Sequence, residues 1–233
     1  MILGENGIKM GKRFPEFVVN PSDIVRDYGA DTLRLYEMFM GPLEVSKPWN
    51  PQGVDGARRF INRVWNFFTV EENIVSENDD TLKKVYHQTV KKVTDDFEQL
   101  GFNTAISQVM IFVNAVYKAG KCPKEYAEGF IKMLSCICPH VGEEIWASLG
   151  HDQTIAYEVW PTYDEAAIKE DTIEIAVQIN GKVKGLVELA VDEASDSALA
   201  KAKEVASVKA AIEGKNIVKE IYVTGKIINI VVK

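Results

Sequence analysis

The hydrophobic period changes once along this chain, and the change dictates two kinds of packing. From Pro21 to about residue 160, apolar side chains recur every three or four residues, the spacing of one face of a helix. From Thr172 they recur every second residue. Ile173, Ile175, Val177 and Ile179 alternate with Thr172, Glu174, Ala176 and Gln178, as in a strand with one buried side. The same 233 residues therefore specify a helical assembly followed by a small sheet.

Within the helical part, Asn20 or Ser22 caps a helix that begins at Pro21 and breaks at Gly29. "ADTLRLYEMFM" sets Leu33, Tyr36 and Met40 on one face and stops at Gly41-Pro42. "GPLEVSKPWNPQG" reads as a connector. A longer helix follows with a stripe of Val54, Ala57, Ile61, Val64, Trp65 and Phe68, and Arg58, Arg59 and Arg63 beside it. "DDTLKKVYHQTVKKVTDDFEQL" repeats the pattern at Leu82, Val85, Thr89, Val93 and Phe97. Another helix is capped at Asn103 and ends at Gly120; "CPKEYAEGFIKMLSCIC" and "PHVGEEIWASLG" supply two more. Short connections between amphipathic helices predict an antiparallel bundle. "WPTYDEAAIKED" is a polar linker. Beyond it, Asn180-Gly181 marks a type I′ hairpin, "SDSALAKAKEVASVKAAIEG" a helix capped near Ser195 and stopped at Gly214, and Thr224-Gly225 a second hairpin. The fold class is mainly α: a helical bundle, then an α+β domain of ββαββ order. The divisions fall at 1–48, 49–165 and 170–233.

Composition excludes several classes. No apolar run reaches the ~18 to 20 residues of a membrane helix, and "MILGENGIKM" lacks the features of a signal peptide, so the expectation is a cytoplasmic protein. Three cysteines suit reduced thiols. Cys136, Cys138 and His140 lack a fourth ligand in an apolar segment, so no metal is expected. The net charge of −7 gives no general affinity for nucleic acid. Residues 171–233, however, are neutral, and all nine of their cations are lysines.

"KMGKRFPEFVVNP", Lys9 to Pro21, sets three cations and a glycine ahead of a helix. It is either a solvated tail or a phosphate-holding loop. "KMGKR" resembles the K-M-S-K-S loop of class I aminoacyl-tRNA synthetases. "VVNPSDIVRDYGADTLRLYEMFMGPLEVSKPWN" and "GVDGARRFINRVWNFF", at the matching distance, resemble the bacterial type of leucyl-tRNA synthetase. "CPHVGEEIW" is similar to a segment of the helical domain in the leucyl, valyl and isoleucyl group. "VQINGKVKGLVELAVD" and "EIYVTGKIINIVV" resemble the C-terminal domain of the bacterial leucyl enzymes. The resemblance spans essentially the whole chain. No H-I-G-H-like string is present, so the resemblance is to the portion running from the signature loop to the end.

The resemblance implies leucine–tRNA ligase activity for a complete protein, with ATP as substrate, Mg2+ beside it, and leucine and tRNA(Leu) as partners. It implies a monomer, and a fragment that is inactive alone. It assigns Lys9 and Lys12 to catalysis, and Lys9, Met10, Gly11, Lys12 and Arg13 to the ATP phosphates. Gly11 and Arg13 stand where the family has serines, and "FPEF" replaces the usual continuation. The residues expected to touch tRNA are Arg58, Arg59 and Arg63 on one helix, and Lys182 and Lys184 beside the first hairpin turn with Lys226 after the second. Spaced two apart, Lys182 and Lys184 are expected on one sheet face, with Lys226 near them. The alternatives are solvated or acid-paired arginines and solubility lysines. For the whole chain, the alternative is a freestanding tRNA-binding or scaffold protein without catalysis, which would have no use for Lys9 and Lys12.

Overall fold

The computed structural model describes residues 1–4, 6–77, 80–168, 172–191 and 193–233. They form two compact units, 1–168 and 169–233, each built on its own core.

In the first unit, the short strands β1 (Ile2–Leu3) and β2 (Lys47–Pro48) pair in parallel. They bracket α1 (Pro21–Tyr28) and α2 (Ala30–Phe39). Asn20 caps α1, its side chain accepting from the backbone N–H of Ser22 at 3.0 Å. Gly29, at φ 91°, adopts the left-handed backbone that separates the two helices. The bundle proper is α3 (Pro51–Phe68), α4 (Lys83–Glu98), α5 (Phe102–Ala119), α6 (Lys124–Ser135) and α7 (Pro139–Ser148). Another parallel pair, β3 (Ile74–Val75) with β4 (Cys122–Pro123), ties the α3–α4 connection to the start of α6.

The core is aromatic. Phe130 is fully buried, stacked on Phe68 at 4.9 Å and tilted against Phe112 at 5.2 Å. Tyr86 stacks on Tyr126 at 4.2 Å, and this close approach requires a glycine. A Cβ at Gly129 would lie 1.9 Å from the Tyr86 hydroxyl. Gly142 likewise lets α7 ride on Ser135 of α6, where a Cβ would come within 2.6 Å of the serine Cβ. Phe130→Ala would remove a ring with partners on both sides and leave a cavity. The expected cost is about 3–5 kcal/mol in chemical denaturation; a loss under about 1 kcal/mol would mean that the stack contributes little.

Several sequence expectations are corrected here. Trp65 is 42 % exposed, because the α3 stripe rotates toward Phe60 and Phe67. Asn103 is not a cap; α5 starts one residue earlier, at Phe102, after Gly101. In α4 the deepest side chains are Tyr86, Thr89, Val90 and Val93, while Val85 and Phe97 are half-buried. The described part of the expected linker is docked. Trp160 donates from Nε1 to Thr94 Oγ1 at 2.8 Å, and Lys91 reaches Glu165 at 3.0 Å. The backbone N–H of Asp164 donates to His87 Nδ1 at 3.1 Å, and α8 (Glu165–Ile168) follows. Two aromatic residues, Trp160 and Tyr163, bury against the bundle and override the polar composition. Residues 169–171 of that linker lie outside the described residues.

The second unit contains β5 (Thr172–Ile179), β6 (Lys182–Ala190), α9 (Ser195–Glu204), α10 (Ala206–Ile212), β7 (Ile217–Val223) and β8 (Ile227–Val232). The single helix expected between the hairpins is two, separated by Val205 in an extended conformation, and Ser195 does not cap the first. Asn180 and Gly181, at φ 49° and 78°, both take the positive φ of a type I′ turn. The sheet order is β6-β5-β8-β7, and β5 and β8 run parallel. Ile175, Val177, Leu189, Ile228 and Ile230 face Ala198, Ala202 and Val208 of the helices. Gly185 admits the second helix: a Cβ there would lie 2.8 Å from Ser207 Oγ. Glu193 braces the unit, accepting from Lys201 at 2.8 Å, from Ser197 Oγ and from the Ala190 N–H at 3.2 Å. The hydrogen bonds from Lys201 and Ser197 hold its carboxyl at about 2.

Candidate nucleic-acid interface

The basic loop folds back on itself. Gly4 lies against Phe17, where a Cβ would meet the Phe17 Cβ at 2.8 Å, and this contact closes the segment. Inside it, the N–H of Phe14 donates to the Gly11 carbonyl at 3.0 Å, making a tight turn with Lys12 and Arg13 at its corner. Met10 packs inward against the bundle core. Lys9, Gly11, Lys12 and Arg13 stay exposed, with the Arg13 guanidinium 5.4 Å from the centre of the Phe14 ring. An apolar anchor between two lysines thus turns the cations outward. Pro15 starts a single 3-10 turn, Pro15–Phe17, that fixes the exit from the loop.

The three arginines of α3 do not form one patch. Arg58 donates from Nη1 to the Tyr28 carbonyl at 2.9 Å and so closes the C-terminal end of α1. Arg59 and Arg63, four residues apart, share the opposite groove. Arg63 donates to Asn114 at 2.9 Å and lies 4.7 Å from the centre of the Tyr117 ring.

The lysines of the second unit are also redistributed. Because β5 and β8 are parallel, with Ala176 opposite Ile227, the turn after β5 and the turn before β8 lie at opposite ends of the sheet. Lys226 is therefore remote from Lys182 and Lys184. These two do not share a face by simple alternation either. Val177 pairs with Gly185 and Gln178 with Val183, which leaves Lys184 as the extra residue of a bulge.

What gathers instead is a surface that crosses all four strands. On the face away from the helices, Leu186, Ala176, Ile227 and Val223 stand in one row. Val183, Gln178, Asn229 and Ile221 form the next. Leu186 is 53 % exposed and Val183 57 %, so this is an open, largely apolar face. Glu174 and Glu188 oppose one another beyond the first row. Lys219, paired with Val231, extends the face at the other end; Lys182 stands at that same end but pairs with buried Ile179, on the helix side of the sheet, and Lys184 is the bulge residue beside it. Sequence reading had no access to Lys219, because the β7–β8 register irregularity between Ile217 and Lys219 decides its face.

Cys138 is buried, its thiol donating to the Asp31 carbonyl and pushed up by burial. The Asp31 carboxylate accepts from the Val141 N–H at 2.7 Å and meets His140 Nδ1 at 2.8 Å, binding α2 to the start of α7. Among the described residues no three His, Cys, Asp or Glu side chains come together as metal ligands, and no helix is long and apolar enough to cross a membrane.

The family model for the anticodon-binding domain of tRNA ligase matches residues 79–200, more than half of the chain. The chain belongs to that family. The matched region includes α4 to α7 of the bundle and continues into the second unit. Over its whole length the chain is also similar to the agnB2 leucyl-tRNA synthetase of Agrobacterium radiobacter K84, solved as a ternary complex with tRNA and LeuAMS. The TM-score is 0.78 at 27% sequence identity. The match covers 100% of this chain and 33% of the synthetase, so the chain spans a third of that protein's length. The likeness takes in both units, the helical bundle and the small sheet domain, as in the C-terminal portion of a leucyl-tRNA synthetase.

Proposed function

We propose that this chain is the C-terminal portion of a leucine–tRNA ligase, and that it contributes the ATP-phosphate loop and a tRNA-binding surface. The observation that carries the reading is the full-length likeness, through both units, to a synthetase captured with tRNA. In the reaction, a leucine carboxylate oxygen attacks the α-phosphorus of ATP, pyrophosphate departs, and leucyl adenylate forms. A ribose hydroxyl at the tRNA 3′ end then attacks the leucyl carbonyl and AMP departs. Lys12, at the corner of the Gly11–Phe14 turn, faces the charge that builds on the departing pyrophosphate, and Lys9 and Arg13 add to the same field. The Mg2+ that accompanies ATP would be held elsewhere in the complete enzyme, since the loop supplies only cations and backbone.

In the second unit, the outer sheet face is the tRNA surface. Its apolar rows suit the flat face of exposed bases, and Lys219 on that face, with Lys182 and Lys184 at the same end of the sheet, suits the backbone. The test is Leu186→Glu. The side chain is exposed and outside the core, so the melting temperature should hold, whereas tRNA(Leu) affinity should fall about tenfold or more. Unchanged affinity in the complete enzyme would remove this face from the interface.

A further inference from the structure

Beside the bundle lies an open cavity of about 780 Å³ between the end of α2, the Lys47–Pro48 strand, α3 and α5. Its floor is apolar, formed by Phe39, Met40, Phe60 and Met110, and its rim carries Lys47, Arg59 and Arg63. None of the lining residues is acidic, and among the described residues none of the three cations pairs with a carboxylate. Lys47 is turned to the Gly41 carbonyl and Arg63 to Asn114. Arg59 is exposed at the mouth. In a chain of net charge −7, three such cations around one apolar hollow are a local excess of positive charge.

The hollow is kept open by Gly56. Gly53, one turn earlier, is required by packing, because a Cβ there would lie 2.6 Å from the Tyr36 ring. At Gly56 a Cβ would meet nothing closer than Arg59 Nη2 at 4.0 Å, and its backbone is ordinary helix. Glycine inside a helix weakens it, and no contact in the fold demands one at this position. Its consequence is empty space above the floor.

We propose that this groove binds a small amphipathic anion: an apolar body laid on Phe39, Phe60 and Met110, and a carboxylate or sulfonate head received by Arg59 with Arg63 and Lys47 at hand. The volume suits a ligand of drug size, and Arg59 presents the planar fork that takes an anionic head in two hydrogen bonds.

The test uses the complete chain and two fluorescent probes of similar shape, anilinonaphthalene sulfonate and the neutral phenylnaphthylamine, with dodecanoate as competitor. The sulfonate should bind saturably at one site and be displaced by dodecanoate. Arg59→Gln should weaken the sulfonate about tenfold and leave the neutral probe unchanged. Gly56→Leu should abolish binding of both while the melting temperature holds or rises, since leucine favours helix over glycine. Binding unaffected by Gly56→Leu would overturn the assignment, and so would an equal loss of both probes in Arg59→Gln. Displacement of the sulfonate by tRNA but not by dodecanoate would assign the two arginines to an RNA backbone instead and would also overturn it.

Discussion

Deleting residues 169–233 from the complete ligase is expected to leave leucyl adenylate formation within about twofold and to lower tRNA charging by about a hundredfold or more. The asymmetry follows from where the residues lie. The loop proposed to hold the ATP phosphates belongs to the first unit, whose core is self-contained, so the adenylate step is not expected to draw on the sheet. The tRNA surface proposed for the second unit loses both apolar rows and the lysines at their end. A hundredfold is about 2.7 kcal/mol, which the loss of a few phosphate contacts together with an apolar patch supplies. Leucine-dependent pyrophosphate exchange reads the first step and aminoacylation the second. Equal charging by the truncated enzyme would make the outer face dispensable. Collapse of both steps would place the second unit in the catalytic fold.

The second large effect is expected from Lys12→Ala in the complete enzyme. Lys12 sits at the corner of a turn fixed by the Phe14 N–H to Gly11 carbonyl bond, with Met10 anchoring the preceding strand of the loop. The alanine variant removes the charge and leaves the turn. Loss of one charge-assisted contact to a developing anion costs about 2–4 kcal/mol of transition-state stabilisation, so adenylate formation should slow by about 30-fold to 1000-fold, with leucine binding little changed. Pre-steady-state formation of the adenylate measures this directly. A change within about threefold would mean that the "FPEF" continuation has turned Lys12 away from the phosphates.

How much of this was legible in the sequence depends on the range of the interaction that decides each feature. The change of hydrophobic period located the bundle and the sheet, because periodicity is local. Asn20 and the Asn180-Gly181 turn were legible for the same reason: a cap and a two-residue turn are settled within three residues. The lysine cluster was misplaced because the positions of its members depend on the parallel pairing of β5 with β8 and on a bulge at Lys184, neither of which leaves a local mark. The arginines were grouped by helix spacing alone, yet Arg58 is claimed by the end of α1, thirty residues away in the chain. The linker misread had a visible signal, since Trp160 and Tyr163 are costly to leave in water. The outer apolar face could have been suspected from Leu186 and Val223, but only the register shows that they stand in one row with Ala176 and Ile227.

The proposed tRNA-binding role is tested most sharply by the binding of this chain to tRNA(Leu), followed by fluorescence anisotropy across a salt series and repeated with an anticodon-substituted transcript. Saturable binding is expected, with an affinity that falls steeply as salt rises, at a log–log slope of about −2 to −4 for three to five phosphate contacts. The same affinity is expected for both transcripts, because contacts to phosphates and to the faces of bases carry no sequence information. No saturable binding at low salt, or a large loss on changing the anticodon, would contradict it.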